Sequence, residues 1–261
     1  KQIMANVGKT QSRGVEITLN SRNIITNNFF WETSLTYTKY EDRWKERTPD
    51  WKPNVYEKEK DPIRAIYARR ADHIMQIGEK APAAQPDLRP GQIVIKDLDG
   101  YVRDENGNPK VDQNGRFMLL GHADGTIDEA DTQLIGTQDP GWMASMTNTF
   151  KYKGFDLNIM FNGMFDRIMQ DPTEMDFGLN GGNIAQNGSN MLRIIKDRWT
   201  FDNPSTTRPS SYYTSGTKYT AGDFFYQKAW FIRLQNISLG YTLPKSILTK
   251  SKILNLSLIH I

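Results

Sequence analysis

The chain has 261 residues, with 33 Lys and Arg against 30 Asp and Glu, 38% apolar residues, 20 glycines and no cysteine. Its net charge of +3 is scattered rather than gathered into a stripe, which argues against a nucleic-acid partner. The lack of thiols excludes a disulfide framework and a cysteine metal site. No run approaches the ~18 apolar residues of a membrane helix, so the chain is either water-soluble or inserted as a β-barrel, whose single strands carry a weak signal.

Several segments alternate with period two. Val15, Ile17 and Leu19 oppose Glu16, Thr18, Asn20 and Arg22. Phe29, Trp31, Leu35 and Tyr37 then oppose Glu32, Ser34, Thr36 and Thr38, with Asn27-Asn28 as a tight-turn pair, because Asn tolerates positive φ. Further on, Trp142 to Tyr152 is joined by Lys153-Gly154 to a strand in which Phe155, Leu157, Ile159 and Phe161 oppose Asp156, Asn158 and Asn162. The last such segment is Ala229 to Pro244. Its first half places the cleaner apolar row on the face of Trp230, Ile232 and Leu234, and its second half on the face of Ile237, Leu239 and Tyr241. That change of phase predicts a bulge near Gln235 or Asn236. These segments reach the ~9–11 residues of a tilted membrane crossing, where ordinary strands run to about 5–6. An open soluble sheet would also have one dry and one wet face.

Between the hairpins lie long irregular stretches: Tyr40 to Pro62, Pro-rich Pro82 to Gly91, and Gly163 to Thr220. The last is expected to hold one short helix, Asn190 to Trp199, capped by Asn190 and with Leu192, Ile195 and Trp199 on one face. Short turns on one rim and long loops on the other are the asymmetry of outer-membrane barrels.

Candidate chemistry is sparse. The acidic, glycine-bearing stretch Lys96 to Gly136 offers Asp97, Asp99, Asp124, Asp128 and Asp131 as calcium ligands, since calcium takes several oxygens around a glycine-assisted turn. With Gly125 at the sixth position of a calcium loop, however, Leu120 and His122 occupy the first and third. The competing reading is a set of turns, for which Asp104-Glu105-Asn106-Gly107 and Asp112-Gln113-Asn114-Gly115 are strong sequences. His73, His122 and His260 are too dispersed for a metal or acid–base cluster. No phosphate loop and no nucleophile elbow is present, so no catalytic residue and no cofactor is expected. Trp44, Trp51, Tyr56, Tyr212, Tyr213 and Tyr219 are candidates either for stacking on sugar rings or for loop packing.

A series of motifs, in order, resembles the SusC/RagA family of TonB-linked outer-membrane transporters. Asn6-Val7-Gly8 through Arg13-Gly14-Val15-Glu16 is similar to a segment that opens a wall strand. Pro90-Gly91-Gln92-Ile93 through Asp97-Leu98-Asp99-Gly100 follows, then Ile127-Asp128 to Asp131, Leu134-Ile135-Gly136 and Asp139-Pro140. Tyr152 to Leu157, Arg198-Trp199 with Asn203-Pro204-Ser205, and Phe231-Ile232-Arg233-Leu234 through Gly240-Tyr241 complete the series. Tyr101 to Ala123 departs from the family's usual run and reads as an added hairpin.

The resemblance implies part of an antiparallel barrel of about 22 strands around a plug, in the outer membrane of a Gram-negative bacterium. It implies import of glycan oligosaccharides or peptides, a SusD-like surface lipoprotein as partner, surrounding outer-membrane lipid, and energy through TonB. On this reading residues 1–255 are the C-terminal part of the barrel, the plug is absent, and 256–261 is a non-native tail encoded by a sequencing adapter. The other reading is a soluble extracellular β-protein that binds glycans through its loop aromatics. Arg233 separates the two, because an arginine in mid-membrane must face the lumen or sit near a rim.

Overall fold

The computed structural model describes residues 7–174, 188, 190–211 and 222–244, together with the backbone of 257–260. Tyr212, Tyr213 and Tyr219 lie outside the described residues. The strands are β1 (Lys9–Ile25), β2 (Phe29–Glu46), β3 (Ala65–Arg69), β4 (Ala71–Ile74), β5 (Ile93–Ile95), β6 (Thr132–Thr137), β7 (Trp142–Tyr152), β8 (Phe155–Phe165), β9 (Ile168–Gln170), β10 (Tyr226–Lys228), β11 (Phe231–Thr242) and β12 (Ser257–His260). They fall into two compact units.

The first unit takes Gln11–Asp42, Asp139–Arg167 and Lys228–Ile261. Its six-stranded sheet has the order β1-β2-β7-β8-β11-β12. Pairing is antiparallel from β2 through β12. The last strand, which falls in the expected tail, pairs Ser257 with Thr242 and His260 with Leu239.

The turns follow from local chemistry. Lys153 and Gly154 both take positive φ, 45° and 90°, as a two-residue primed hairpin requires. The Asn27-Asn28 turn corrects the expectation, because neither residue has positive φ. Thr26 closes it instead: its N–H donates to the Phe29 carbonyl at 2.8 Å, and its Oγ1 accepts the Phe29 N–H at 2.9 Å. Both turns lie at one end of the sheet. From the other end the chain leaves for 47–141 and 166–230.

The second unit takes Lys1–Thr10, Arg43–Gln138 and Ile168–Gln227. The stretches expected to be irregular are here built into a unit with its own interior. The pairs β3–β6, β4–β5 and β9–β10 frame it. Ile93, Ile95 and Phe225 form one buried cluster, and Met75, Leu88 and Val94 another. Periodicity did not show this because β4, β5 and β9 are only 3 or 4 residues long.

The expected helix from Asn190 to Trp199 is a 3-10 segment at Arg193–Asp197. Its N-cap is Leu192, with no side-chain hydrogen bond, so Asn190 does not cap it. Trp199 is instead 3% exposed, and its indole N–H reaches Gln76 Oε1 at 3.3 Å. Tertiary burial of the tryptophan outweighs a weak helical period.

Candidate functional site

Directly paired residues share a sheet face, so the register sorts every side chain. On one face Leu35 pairs with Met146, Met146 with Phe161, and Phe161 with Leu234. On the other Thr36 pairs with Ser145, Ser145 with Asn162, and Asn162 with Arg233. One face is therefore apolar and the other hydrogen-bonding.

The bulge in β11 keeps this division intact. Leu234 pairs with Phe161 and Asn236 with the adjacent Met160, so Gln235 is the extra residue. Before it, Ile232 and Leu234 lie on the apolar face. After it, Ile237, Leu239 and Tyr241 do. The change of phase in the sequence is thus cancelled by the added residue.

Aromatic rows bound the apolar face at both ends. Near the long connections Tyr37 packs on Trp142 at 5.9 Å, Trp142 stacks on Phe165 at 3.8 Å, and Trp230 continues the row at 6.4 Å. Near the tight turns Phe29 meets Tyr152, Trp31 stacks on Phe150, and Phe155 meets Tyr241 at 4.4 Å. From Trp142 to Tyr152 there are ten residue steps. At ~3.4 Å each and a tilt of ~40° these span about 26 Å, which matches the ~25 Å apolar band of an outer-membrane barrel.

Leu234 and Ile232 are 50% and 64% exposed, although they belong to a broad apolar field. A sheet in water would cover such a field, whereas lipid leaves it open. One polar run crosses it. Trp31 Nε1 and Thr33 Oγ1 donate to Asn148 Oδ1 at 3.1 and 2.7 Å, and Asn23 Nδ2 donates to Thr33 Oγ1 at 2.7 Å. Mutual pairing offsets the cost of removing these groups from water. Sequence reading missed this run, because its members lie on three strands.

The polar face carries the charges. Arg22 lies 3.7 Å from Glu32, and Lys151 is paired across strands with Asp156. Arg233 is on this face, with its guanidinium 4.9 Å from the Phe231 ring centroid. The position of Arg233 agrees with a barrel wall and does not require a charge in lipid.

The candidate calcium ligands are brought near one another, but their oxygens serve the backbone. Asp131, 0% exposed, accepts the N–H groups of Leu98, Asp99 and Asp128 at 2.6, 3.2 and 2.8 Å. Asp97 accepts from Asp124 and Gly125, and Asp99 from Gly100 and Gly121. Asp124 accepts from Thr126, and Asp128 from Ala130. Asp128 and Asp131 form a reciprocal capping box around a short 3-10 turn. Among the described residues, no group of three or more His, Asp or Glu is placed to share a cation.

The expected added hairpin is a three-cornered loop. Val102 N–H donates to Met118, Met118 to Lys110, and Lys110 to Val102, at 2.8–2.9 Å. Asp104 and Asp112 each close a corner by accepting two backbone N–H groups. The evenly spaced D-x-N-G turns were the available signal.

Three of the candidate sugar-stacking rings have intramolecular partners. The Arg47 guanidinium lies between Trp44 and Trp51, 4.7 and 4.6 Å from their ring centroids. Tyr56 packs on Tyr67 at 5.1 Å. His73 Nδ1 lies 2.9 Å from Asp72 and Nε2 2.6 Å from Glu79.

Together these features define an open section of a transmembrane β-barrel wall. No family model matches the chain. It is 23% identical over 94% of its length to TonB-dependent receptor P3 of Formosa agariphila, and 24% identical over 92% to TonB-dependent receptor SusC of Bacteroides thetaiotaomicron. It spans 23% and 21% of those relatives. In fold it is similar to the RagAB peptide transporter, with a TM-score of 0.62 at 20% identity, covering 94% of this chain and 24% of that one. The same importer in its closed-closed state gives 0.60 at 19% identity, with 93% and 24% covered. The chain is similar to TonB-dependent receptors of the SusC/RagA type, and spans about a quarter of the curated relatives it matches.

Proposed function

We propose that this chain forms part of the barrel wall of an outer-membrane active transporter. In this reading the apolar face meets lipid and the polar face lines the lumen. The whole transporter imports large nutrients, glycan oligosaccharides or peptides, with a SusD-like lipoprotein at its outer mouth and energy supplied through TonB. Residues 1–255 supply strands and outer connections rather than catalytic groups. The observation that carries the reading is the register of β11, which keeps Arg233 and Ser238 on the polar face and Leu234 and Leu239 on the apolar one across a bulge. The soluble, glycan-binding alternative gains nothing from Trp44, Trp51 and Tyr56, whose rings are engaged by Arg47 and Tyr67.

Paired cysteines test this reading, helped by the absence of cysteine from this chain. In outer membranes carrying the full-length protein, Ser238→Cys should react with a charged, water-soluble thiol reagent. Leu234→Cys should react only with a lipid-soluble one. Equal reaction of both with the charged reagent would mean a sheet in water.

A further inference from the structure

We propose that Arg233, Gln235 and Asn162 form an anion site on the polar wall, and that it takes a carboxylate of the incoming cargo. This rests on the lumen reading above.

The bulge creates the site. In regular alternation one face would hold Arg233, Gln235 and Ile237. With Gln235 as the extra residue, Arg233 and Asn236 lie on the polar face, and Gln235 reaches the same face, where Asn162 Nδ2 donates to its Oε1 at 3.3 Å. Three polar side chains are thereby concentrated within four residues of one strand. Bulges commonly re-aim side chains beside functional sites.

On the β8 side Arg233 faces a neutral row, and the nearby charge is a second cation, Arg167, whose guanidinium reaches Met164, the partner of Phe231. The neutral row is Asn162, Ser145 and Thr36, all hydrogen-bonding groups. The described charges of this face on β7 and β8, Lys151 and Asp156, stand at the tight-turn end. Among the described residues Arg233 meets no carboxylate within ion-pair distance. Asn162 Oδ1, shielded from solvent, has no hydrogen-bond partner. As an acceptor it calls for a hydrogen-bond donor, which a hydroxyl or amide N–H of the same cargo would supply, not its carboxylate.

Height and direction favour the cargo over any group at the turn end. Arg233 is three residues from Trp230, in the aromatic row beside the long connections. Its guanidinium rests on Phe231, on the side of that row. A planar guanidinium binds a carboxylate through two parallel N–H donors, which suits uronate sugars and peptide carboxylates alike. The free amide hydrogens of Gln235 supply a further donor.

The test uses the full-length transporter in detergent. Binding is measured for hexagalacturonate against its methyl ester, and for a hexapeptide acid against its amide. The wild type should prefer the acid in at least one pair by about tenfold. Arg233→Gln should abolish that preference, Arg233→Lys should keep part of it, and Gln235→Leu should weaken it. The proposal is overturned if neither pair shows an acid preference, or if the preference survives Arg233→Gln. Failure of the lumen reading shows separately, in the labelling of Leu234→Cys and Ser238→Cys.

Discussion

Gly14 on β1 lies so close to Tyr40 on β2 that a β-carbon added to it would sit 2.8 Å from Tyr40 Cβ and 2.6 Å from the Lys39 carbonyl. Both obstacles belong to the strand itself and cannot swing aside. Gly14→Ala should therefore destabilise the wall by about 1–3 kcal/mol through overpacking. Gly240→Ala should cost less, because its added carbon would meet the Asp156 carboxylate, the free end of a side chain. The measurement is the temperature at which the full-length barrel loses its compact electrophoretic mobility. An equal shift for both would refute the distinction.

Adding a residue to β11 should be worse than deleting Gln235. Without Gln235, Asn236 would follow Leu234 directly, so Ile237, Leu239 and Tyr241 would stay on the apolar face and Asn236 and Ser238 on the polar one, whereas one alanine inserted after Ile237 would exchange the faces of Ser238 to Tyr241. The expected outcome is failure of the full-length insertion variant to assemble in the outer membrane. The Gln235 deletion, which restores plain alternation, should assemble normally. Membrane fractionation with heat-modifiability compares the two.

His73 should make the β4–β5 region pH-sensitive. Both of its ring nitrogens face carboxylates, which accept hydrogen bonds only, so both contacts are made together only by the protonated ring. The hydrogen bond to Asp72 raises its pKa, burial opposes this, and Glu79 adds to it. Asp72 is lowered mainly by His73 and then by Lys96. Glu79 is lowered mainly by the backbone N–H of Gln76 and then by His73. A raised histidine value means that its contribution is complete below about pH 6.5 and is lost as pH rises through the folded value. The lowered carboxylates contribute above about pH 4.5, and that part is lost as pH falls through their folded values. Amide protection of residues 74–79, taken relative to the intrinsic exchange rate at each pH, should therefore be greatest near about pH 5–6, and His73→Gln should remove the loss on the alkaline side.

Asp131→Ala should destabilise the second unit by several kcal/mol. It leaves three backbone N–H groups without their acceptor, each costing about 1–3 kcal/mol when buried. Asp97→Ala should cost less, since its two contacts are nearer the surface. Because these oxygens are already engaged by the backbone, a calcium chelator should leave the unfolding of the wild type unchanged. Proteolysis of the 47–141 connection against denaturant reports both effects.

The wall was largely legible in the sequence. Alternation is a local property, and one face of each strand meets a different solvent from the other, so Val15, Ile17 and Leu19 or Phe155, Leu157 and Ile159 declare their face without reference to neighbours. Even the bulge was visible, as a change of phase near Gln235. Pairing was not local. That Thr33, Asn148 and Asn23 share their hydrogen bonds depends on which strands lie side by side, and residues far apart in the chain carry no shared period. The second unit was hidden for the same reason: its strands are short, and its interior joins Ile93 and Ile95 to Phe225.

The amino-acid sequence alone determined the class of fold, because solvent on two faces imposes a period that each wall strand repeats. Only the tertiary structure decided where the single residues act. Asp131 became an acceptor for three backbone N–H groups, Trp44 and Trp51 came to flank Arg47, and Arg233 was brought beside Asn162. Each of those outcomes is set by register and burial, which arise when distant segments meet.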